Sequence, residues 1–291
     1  MVKKQTSLTG AVVITGASSG IGEACAIYLD KLGYQVFAGV RKEADGERLT
    51  QKTSERLSPL FLDVTDEASI IAAANTVNAA LDTVKLMGLV NNAGIAVPGP
   101  LEFIPIAELR KQLEVNVIGQ MAVTQAFLPL LRKAQGCVIN MSSVSGKTYA
   151  PFLGPYCASK FALEALTDAL RIELQPWGIA VSLIEPGSVT TPIWEKSRAK
   201  ADDMWDQLPP EAHNLYSSAV DAVRKKTKQL AESGCPVEAV AKTVAKALTA
   251  KKPKTRYIVG LDAKINIRLA KMIPDRIFDK LIARYIGLPK S

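Results

Sequence analysis

The chain has 291 residues, 48% of them hydrophobic and 22% charged, which is enough apolar material for one large buried core or two small ones. No run approaches the ~18 apolar residues that a membrane-spanning helix needs, and the run at residues 11–14 is too short for a secretory signal. The formal net charge of +8 equals the excess of eleven Lys/Arg over three Asp/Glu in residues 251–291, and this local basicity, with only 6% aromatic residues, argues against nucleic-acid binding.

Seven short apolar runs, separated by helical patterns, predict the strands of one sheet. Their continuous apolar character is typical of strands covered on both faces, as in a parallel sheet between two layers of helices. Within residues 161–174, Phe161, Leu166 and Leu170 fall on one helical stripe and predict a helix packed on that sheet. We therefore predict a single α/β domain over residues 1–291, built on a doubly wound parallel sheet of about seven strands. The predicted strands are residues 11–15, 35–40, 60–63, 85–90, 137–141, 179–184 and 256–260.

A glycine-rich segment, residues 15–22, follows the first strand and precedes a helical pattern at residues 23–31. Its glycines allow a tight turn and a close approach of the backbone to a ligand, and the start of the next helix offers N–H groups to phosphate. A glycine-rich loop alone is weak evidence, but its position between a strand and a helix favours a dinucleotide site. The residues predicted to hold the pyrophosphate are Gly16, Ser18, Ser19, Gly20, Ile21 and Gly22.

Tyr156 and Lys160 are four residues apart, so on a helix their side chains share one face. A free tyrosine has a pKa of about 10, and a nearby ammonium would stabilise the phenolate and lower that pKa, which makes Tyr156 a candidate general acid or base. An isolated pair of this kind is more often a solvated helix face. Ser143, at the end of the fifth predicted strand, shifts the balance toward a catalytic site.

Six motifs occur in the order that is typical of one family. They are the glycine segment, Asn91-Asn92-Ala93-Gly94 after the fourth strand, Asn116 in the next helix, Ser143, Tyr156-Cys157-Ala158-Ser159-Lys160, and Pro186-Gly187-Ser188-Val189-Thr190-Thr191 after the sixth strand. Over roughly residues 8–262 the chain resembles the short-chain dehydrogenase/reductase family. The resemblance implies a Rossmann-like fold and hydride transfer between a nicotinamide cofactor and a carbonyl or alcohol.

The resemblance also implies a role for each catalytic residue. Tyr156 exchanges a proton with the substrate oxygen, and Ser143 hydrogen-bonds the same oxygen. Lys160 also holds the nicotinamide ribose, and Asn116 supports a water relay. Besides Tyr156 and Lys160, the further cofactor contacts implied by the resemblance are Asp63, Val64, Asn92, Ala93, Gly94, Pro186, Gly187, Val189 and Thr191.

The residues after the second strand indicate which cofactor is used. A carboxylate there would bind the ribose 2′-hydroxyl of NAD, whereas a 2′-phosphate requires a cation. The chain has Arg41 and Lys42 at this point and no acid before Glu43. We predict a preference for NADP(H), with NAD(H) as the alternative. Arg41 would be the main contact, assisted by Ser18 or Lys42, unless it is simply a solvated loop charge.

Residues 192–236 interrupt the alternation of strands and helices where the chain leaves the sixth strand, and we predict a substrate lid there. The apolar cavity expected near this lid includes Val144, Tyr149, Phe152, Leu153, Trp194, Met204, Trp205 and Leu208. The predicted substrate-binding residues are Ser143, Val144, Tyr149, Tyr156 and Trp194. The segments 39–41 and 262–264 resemble the hydroxysteroid and retinol dehydrogenase branch, which implies a bulky apolar substrate that is steroid-, retinoid- or lipid-like.

Residues 263–291 form a basic C-terminal extension. From residue 277 to 286 its apolar side chains fall on one helical stripe, with charged residues on the other positions. Such a helix lies on an anionic membrane surface, or packs against its own core or a partner subunit, and both alternatives stay open. The family resemblance implies a homodimer or homotetramer.

A rival interpretation is a non-catalytic sensor or scaffold of the same fold that binds the dinucleotide. Such a protein would not require Ser143, Tyr156 and Lys160 together, so the enzyme is favoured. The four cysteines form no C-x-x-C pair and the chain has a single histidine, so we expect no metal site and free thiols in the reducing cytoplasm.

Overall fold

The computed structural model describes residues 10–81 and 84–289. The rest of the predicted domain, residues 1–9, 82–83 and 290–291, lies outside this description. The strands are β1 (Ala11–Ile14), β2 (Gln35–Val40), β3 (Leu57–Phe61), β4 (Leu86–Asn91), β5 (Cys137–Met141), β6 (Ala180–Pro186) and β7 (Arg256–Val259).

The third strand begins three residues before the predicted strand at residues 60–63. β3 lies at the edge of the sheet, where Ser58 and Pro59 are exposed and only Leu57 and Leu60 are buried. Proline has no backbone N–H to donate, and it is tolerated in an edge strand because one side of that strand has no partner. The start of β3 therefore has no apolar run for a sequence pattern to detect.

The helices are α1 (Gly20–Lys31), α2 (Glu43–Thr50), α3 (Glu67–Ala80), α4 (Ile106–Leu113), α5 (Gly119–Ala134), α6 (Gly154–Glu173), α7 (Ile193–Asp206), α8 (Pro210–Glu232), α9 (Val237–Thr249), α10 (Leu261–Met272) and α11 (Asp275–Ile286). A π-helical turn, Glu114–Ile118, joins α4 to α5, and a short 3₁₀ turn, Val144–Gly146, follows β5.

The seven strands form one sheet in the order β3-β2-β1-β4-β5-β6-β7, and every neighbouring pair is parallel. The predicted doubly wound α/β fold is thereby confirmed. The order reverses at β1, which lies between β2 and β4. Ligands of such sheets bind at the carboxyl ends of the strands near this reversal, where the glycine segment begins.

The core has two halves, one on each face of the sheet. In β1, Val12 and Ile14 pack in the cluster that includes α1 and α9, whereas Ala11 and Val13 pack in the cluster that includes α3, α5 and α6. Because both faces of the sheet are covered, the residues that point to one face and those that point to the other are all apolar. This explains the continuous apolar runs in the sequence.

The orientation of α6 differs from its predicted stripe. Phe161 is 44% exposed and Leu166 is 37% exposed, although Leu170 is buried. The buried face instead carries polar side chains, including Lys160, Glu164 and Thr167. Hydrogen bonds to the end of β5, described below, make this polar burial possible.

The helices outside the sandwich bury little. No residue of α7 is buried, α8 buries only Ala212, and α11 buries only Phe278. The predicted lid at residues 192–236 thus consists mainly of two surface helices, α7 and α8, and the predicted C-terminal extension consists of α10 and α11. Within residues 10–81 and 84–289, no helix combines the length and the apolar character needed to cross a membrane.

Candidate active site

The candidate site lies at the carboxyl edge of the sheet. Because the strands are parallel, the segments that follow β1, β4, β5 and β6 all emerge at this edge. These segments contain the glycine turn, the Asn91–Gly94 motif, Ser143 and the Pro186–Thr191 motif. The fold therefore brings together the motifs that the sequence spreads over about 175 residues.

The glycine turn fits a bound phosphate. Gly16 has a φ of +65°, a conformation that favours glycine, and a Cβ at Gly22 would lie 2.2 Å from the carbonyl oxygen of Gly16. The N-cap residue of α1, Ser19, makes no capping hydrogen bond with its side chain, so the first N–H groups of α1 stay available to an anion. Ile21, in the first turn, packs against the core. These features suit the pyrophosphate of a dinucleotide.

Asn92, Ala93 and Gly94 support the glycine turn. The Asn92 amide donates to the carbonyl oxygens of Thr15 (3.0 Å) and Gly16 (3.1 Å), while the backbone N–H groups of Asn92 and Ala93 donate to the Thr15 hydroxyl at 2.9 Å. Sequence reasoning did not single out Thr15 as a site residue. A threonine at a strand end carries no distinctive signal, and its role depends on a strand 77 residues away.

Asn116 lies in the π-helical turn and is fully buried. Its Oδ1 accepts from the Ile95 N–H at 2.9 Å, and its Nδ2 donates to the Ile95 carbonyl at 3.0 Å and to the Ser159 hydroxyl at 3.1 Å. A π turn widens the helix locally and is frequent at functional sites. In this structure Asn116 fixes the loop after β4, and its participation in a water relay stays a prediction.

Ser143, Tyr156 and Lys160 come together at the start of α6. The Tyr156 phenol hydrogen-bonds to the Ser143 side chain, and the Lys160 ammonium lies 5.6 Å from the centre of the Tyr156 ring. Lys160 is buried, and its Nζ donates to the Met141 carbonyl oxygen at 2.7 Å. The Ser143 and Tyr156 hydroxyls are thus placed where one substrate oxygen could meet both, with the buried ammonium near the phenol ring.

The expectation that Lys160 lowers the pKa of Tyr156 is wrong for the protein chain by itself. Although Tyr156 keeps part of its accessible surface, burial raises the pKa of Tyr156 to about 12, and the hydrogen bond to Ser143 opposes this only in part. Burial also lowers the pKa of Lys160 to about 8, against the opposing effect of the Glu164 charge. Tyr156 therefore holds its proton at neutral pH.

A polar face of α6 holds the end of β5, and the sequence pattern missed this arrangement. Thr167 accepts from the Asn140 amide at 2.8 Å, Lys160 donates to Met141, and Glu164 accepts from the Ser142 hydroxyl at 2.6 Å. Three successive residues of β5 and the following loop are thus held by one helix immediately before Ser143. The apolar periodicity of α6 gave no signal for it.

The predicted cofactor-selecting residues lie after β2 and β3. The Arg41 side chain is 73% exposed, and its guanidinium lies 3.9 Å from the Asp63 carboxylate. Burial raises the pKa of Asp63, but hydrogen bonds from Thr65 and the Arg41 charge outweigh it and hold the pKa below its ordinary value. Lys42 is exposed, and Val64 is buried beside Gly119.

Arg48 is a further cation at this edge that sequence reasoning missed. Its guanidinium donates to the Ser18 carbonyl oxygen and to Glu23 Oε1 at 3.1 Å. It thereby ties the glycine turn to α1 and α2. The predicted role of Ser18 toward a 2′-phosphate is not tested by this contact, because it involves the backbone of Ser18.

The Pro186–Thr191 segment lies against the glycine turn. A Cβ at Gly20 would lie 3.4 Å from the Thr191 Cβ, so the two segments are in contact. Asp262 accepts from the Ser188 N–H at 2.8 Å, and Asp262 leaves no room for a Cβ at Gly187. Val189 forms a parallel bridge with Cys235. The predicted cofactor residues of this segment are thus held by distant parts of the chain.

A small apolar cavity lies between α7, α8 and the loop after β4. Its volume is about 60 Å³, and Arg224 is the only charged residue among those that line it. The lining residues are Pro98, Gly99, Pro100, Phe103, Ile104, Phe152, Ala201, Met204, Trp205, Leu208, Val220, Val223 and Arg224.

Half of the residues expected in the apolar cavity line it, namely Phe152, Met204, Trp205 and Leu208. Val144, Tyr149, Leu153 and Trp194 lie elsewhere. The Tyr149 hydroxyl donates to Asp279 at 2.9 Å and its ring packs edge-on against Phe278, whereas the Trp194 indole donates to the Val189 carbonyl at 2.7 Å. Substrate contact by Val144, Tyr149 and Trp194 therefore stays a prediction.

Comparison with known proteins agrees with this geometry. A family model described as short chain dehydrogenase matches residues 10–202. The chain is 42% identical over 276 residues to the NADPH-dependent 3-dehydrocapnine reductase of Ornithobacterium rhinotracheale, covering 92% of this chain and 94% of that protein. It is 37% identical over 284 residues to retinol dehydrogenase 5 of Mus musculus, covering 96% and 89%.

Solved structures have the same fold. A short-chain dehydrogenase from Streptomyces avermitilis is 27% identical, with a TM-score of 0.75 and coverage of 97% of this chain and 99% of that one. A Burkholderia phymatum protein in complex with NAD is 24% identical, with a TM-score of 0.78 and coverage of 97% of this chain and 98% of that one. A Burkholderia cenocepacia protein in complex with NADP is also 24% identical, with a TM-score of 0.70 and coverage of 94% and 98%. The chain therefore belongs to the short-chain dehydrogenase/reductase family of oxidoreductases, which bind a nicotinamide dinucleotide.

Proposed function

We propose that this protein is an NADP(H)-dependent oxidoreductase that acts on the carbonyl or alcohol group of a bulky apolar substrate. The observation that carries the proposal is the buried Lys160 beside the hydrogen-bonded pair of Ser143 and Tyr156, at the same sheet edge as the glycine turn. A sensor or scaffold of the same fold would gain nothing from a buried ammonium at this position, because burying a charge is costly.

Each side chain has a defined task in this reaction. The reduced nicotinamide supplies a hydride to the carbonyl carbon when it is bound. Tyr156, which is protonated at neutral pH, donates its proton to the carbonyl oxygen, and Ser143 hydrogen-bonds the same oxygen. Lys160 contributes positive charge next to the phenol as the proton leaves. Asn116 holds the loop after β4 and would orient water at the start of α5.

The preference for NADP(H) rests on the charges after β2. Arg41 is exposed and free to turn toward a 2′-phosphate, Lys42 is adjacent, and no carboxylate occupies the position that would bind the 2′-hydroxyl of NAD. Asp63, 3.9 Å from Arg41, keeps the guanidinium close to the sheet edge. A relative named as NADPH-dependent supports the same preference.

A panel of apolar ketones, aldehydes and alcohols, each assayed with NADPH, NADH and their oxidised forms, tests the proposal. We expect turnover with NADPH or NADP⁺ to exceed that with the NAD pair. Turnover of small polar sugars alone would contradict the substrate class, and faster turnover with NADH would contradict the cofactor. Cofactor binding without turnover of any carbonyl or alcohol would favour the sensor.

An apolar substrate is supported by the cavity under the lid. At about 60 Å³ it holds about four water molecules, so α7 and α8 must move to admit a bulky ligand. These helices bury almost nothing, which makes such a movement inexpensive. Phe152 projects into the cavity from the loop before Tyr156 with a φ of +62°, a strained conformation of the kind found at functional sites. Two relatives are named for retinol, an apolar alcohol.

We expect Trp205→Ala to raise the KM for apolar substrates about tenfold, because an aromatic contact that the substrate would cover, of roughly 1.5–3 kcal/mol, is lost. The matched control is Trp177→Ala. Trp177 is 46% exposed at the far end of α6 and does not line the cavity. Equal KM values for the two variants would contradict the proposed substrate pocket.

Peripheral contact with an anionic membrane is supported by the exposed faces of α10 and α11. Four apolar side chains of α10, Leu261, Ile265, Leu269 and Met272, are 38–81% exposed, and three of α11, Ile277, Leu281 and Tyr285, are 44–57% exposed. Six cations, Lys264, Arg268, Lys271, Arg276, Lys280 and Arg284, lie on the same two helices. An apolar surface bordered by cations suits an anionic lipid headgroup layer.

Flotation with vesicles that contain anionic lipid tests this contact. We expect the wild type to float, and the double variant Leu281→Glu with Met272→Glu to remain in solution. Ile71→Glu, at a 51% exposed position on α3, is the matched control and should float. If neither the wild type nor the control floats, the membrane proposal is contradicted, and a second copy of the chain becomes the better occupant of this face.

Self-association through α5 and α6 is supported by exposed apolar side chains there. Ile118, just before α5, is 53% exposed, and Phe161 and Ile172 of α6 are 44% and 63% exposed. We expect light scattering to give a dimer or tetramer for the wild type and a smaller species for Ile172→Glu. A monomeric wild type would contradict this. A cytoplasmic location stays a prediction.

A further inference from the structure

A cluster of charged side chains surrounds Glu164, one helical turn after Lys160. The Glu164 side chain is 5% exposed, and its Oε2 lies 2.7 Å from Lys147 Nζ and 3.0 Å from Arg256 Nε. Arg256 comes from β7 and also lies 2.6 Å from Asp168, which is further along α6. A carboxylate this deeply buried is stable only because these cations balance it.

Glu164 acts on the same short segment as Lys160. Its Oε1 accepts from the Ser142 hydroxyl, while Lys160 donates to the preceding carbonyl, that of Met141. The loop that begins at Ser143 then passes directly over Glu164, because a Cβ at Gly146 would lie 2.8 Å from Ser142 Oγ and 3.0 Å from Glu164 Cγ. The carboxylate is therefore enclosed next to the catalytic residues, away from solvent.

A second carboxyl, Glu185 of β6, lies beside Glu164. Its Oε1 is 3.1 Å from Arg256 Nε but accepts no hydrogen bond from any described residue. Burial, and next the Glu164 charge, raise the pKa of Glu185 to about 7. Below neutral pH, Glu185 therefore keeps a proton and can donate it in a hydrogen bond to Glu164, while Lys147 and Arg256 supply the cations that face Glu164.

The charged groups of the cluster around Glu164 come from every element packed against it. Lys147 comes from the loop after β5, Glu185 from β6, Arg256 from β7 and Asp168 from α6 itself. Among them, the charge of Glu164 acts on Lys160. Burial lowers the pKa of Lys160, and the negative charge of Glu164 opposes this effect.

We propose that Glu164 is a positioning residue that keeps the ammonium of Lys160 charged while Tyr156 transfers its proton. The part that concerns catalysis rests on the proposed function, whereas the effect on Lys160 is a property of the chain alone. Glu164→Gln removes the charge but retains an oxygen that can accept from the Ser142 hydroxyl, so the segment that carries Ser143 stays in place.

Titration of the protein without ligand measures this effect directly. Protein labelled with ¹³C-lysine is followed by NMR, and Lys160→Met identifies the Lys160 signal. We expect Glu164→Gln to lower the apparent pKa of Lys160 by about one pH unit, since a buried opposite charge one helical turn away has been lost. Lys147→Met should move it upward, because Glu164 is then less neutralised. A structural role alone would not produce shifts of opposite sign.

Asp168→Asn is the matched control. Asp168 is on the same helix and shares Arg256 with Glu164, but it does not contact Ser142 and lies one turn further from Lys160, so its effect on the Lys160 titration should be clearly smaller than that of Glu164→Gln. An unchanged Lys160 titration in Glu164→Gln, or shifts of the same sign in Glu164→Gln and Lys147→Met, would overturn the proposal. If Glu164→Gln fails to fold, the double variant with Lys147→Met, which removes both charges of the ion pair, decides: a Lys160 pKa below that of Lys147→Met alone supports the proposal, and an equal pKa overturns it.

The pH dependence of turnover gives the second readout. In Glu164→Gln the alkaline decline of kcat should move about one pH unit lower, with kcat at pH 6 close to that of the wild type. An equal loss at every pH would indicate a merely structural role and overturn the proposal. If the wild type turns over no carbonyl at all, the proposed function fails, but the titration of Lys160 still decides the role of Glu164.

Discussion

The contact between β5 and α6 and the pair of lid helices contribute to the site in opposite ways. Where α6 meets β5, polar side chains such as Lys160 and Glu164 are buried and hydrogen-bonded, so the reacting groups have little freedom. In α7 and α8 almost every residue is at least partly exposed. The comparison teaches that the residues proposed to react lie where polar groups are held by buried hydrogen bonds, while the helices proposed to admit the substrate have few buried contacts to lose when they move.

The largest effect should come from the rigid region. Tyr156→Phe removes only the hydroxyl that Ser143 contacts, so we expect turnover to fall by about 10³-fold, as for the loss of a general acid. Fluorescence titration should show NADPH affinity within about threefold of the wild type, because the ring and Lys160 remain. Tyr34→Phe, which removes the hydroxyl of a buried tyrosine just before β2 at the opposite edge of the sheet, is the matched control and should retain turnover. Retained turnover in Tyr156→Phe would show that another group transfers the proton.

The same contrast predicts stability. Phe127 of α5 is fully buried between helix and sheet, so Phe127→Ala should lower the free energy of unfolding by about 3–5 kcal/mol. Leu215 of α8 is 60% exposed, and Leu215→Ala should change the free energy of unfolding by less than about 0.5 kcal/mol. Urea denaturation measures both. A large cost for Leu215→Ala would mean that the lid is as firmly packed as the core.

A smaller effect is expected at the cofactor edge. Arg41→Asp replaces the cation by a carboxylate that could bind a ribose hydroxyl, so the ratio of kcat/KM for NADPH to that for NADH should fall about 30-fold. Lys85→Asp makes the same kind of charge change at the opposite end of the sheet, at an exposed position, and should leave the ratio unchanged. An unaltered ratio in Arg41→Asp would remove Arg41 from cofactor selection.

The smallest effect concerns pH. In the folded protein Glu185 keeps its proton up to about pH 7, whereas an ordinary glutamate releases it near 4.5, so this carboxyl increasingly destabilises the fold as pH rises through that window. The free energy by which Glu185→Gln stabilises the protein should therefore be roughly 1–2 kcal/mol larger at pH 8 than at pH 4. Thermal unfolding at both pH values measures this, with the exposed Glu232→Gln as a control. A gain that does not grow with pH would contradict the raised pKa.

The existence of the strands and of the glycine turn could be predicted because their signals are local. A strand covered on both faces must be apolar throughout, and a turn that approaches a phosphate must contain glycine, whatever the rest of the chain does. The sequence pattern missed the start of β3 because an edge strand is less covered and tolerates Ser58 and Pro59.

The sequence by itself determined the family and the fold and predicted which side chains react, because residue type and spacing along one helix or loop are sufficient for these. Only the tertiary structure decided the environment of those side chains. Glu164 and Arg256 are 92 residues apart, and nothing in the polar pattern of α6 shows that its charged face is the buried one. For the same reason the pKa of Tyr156 could not be read from the position of Lys160, since burial depends on every segment that packs around the phenol.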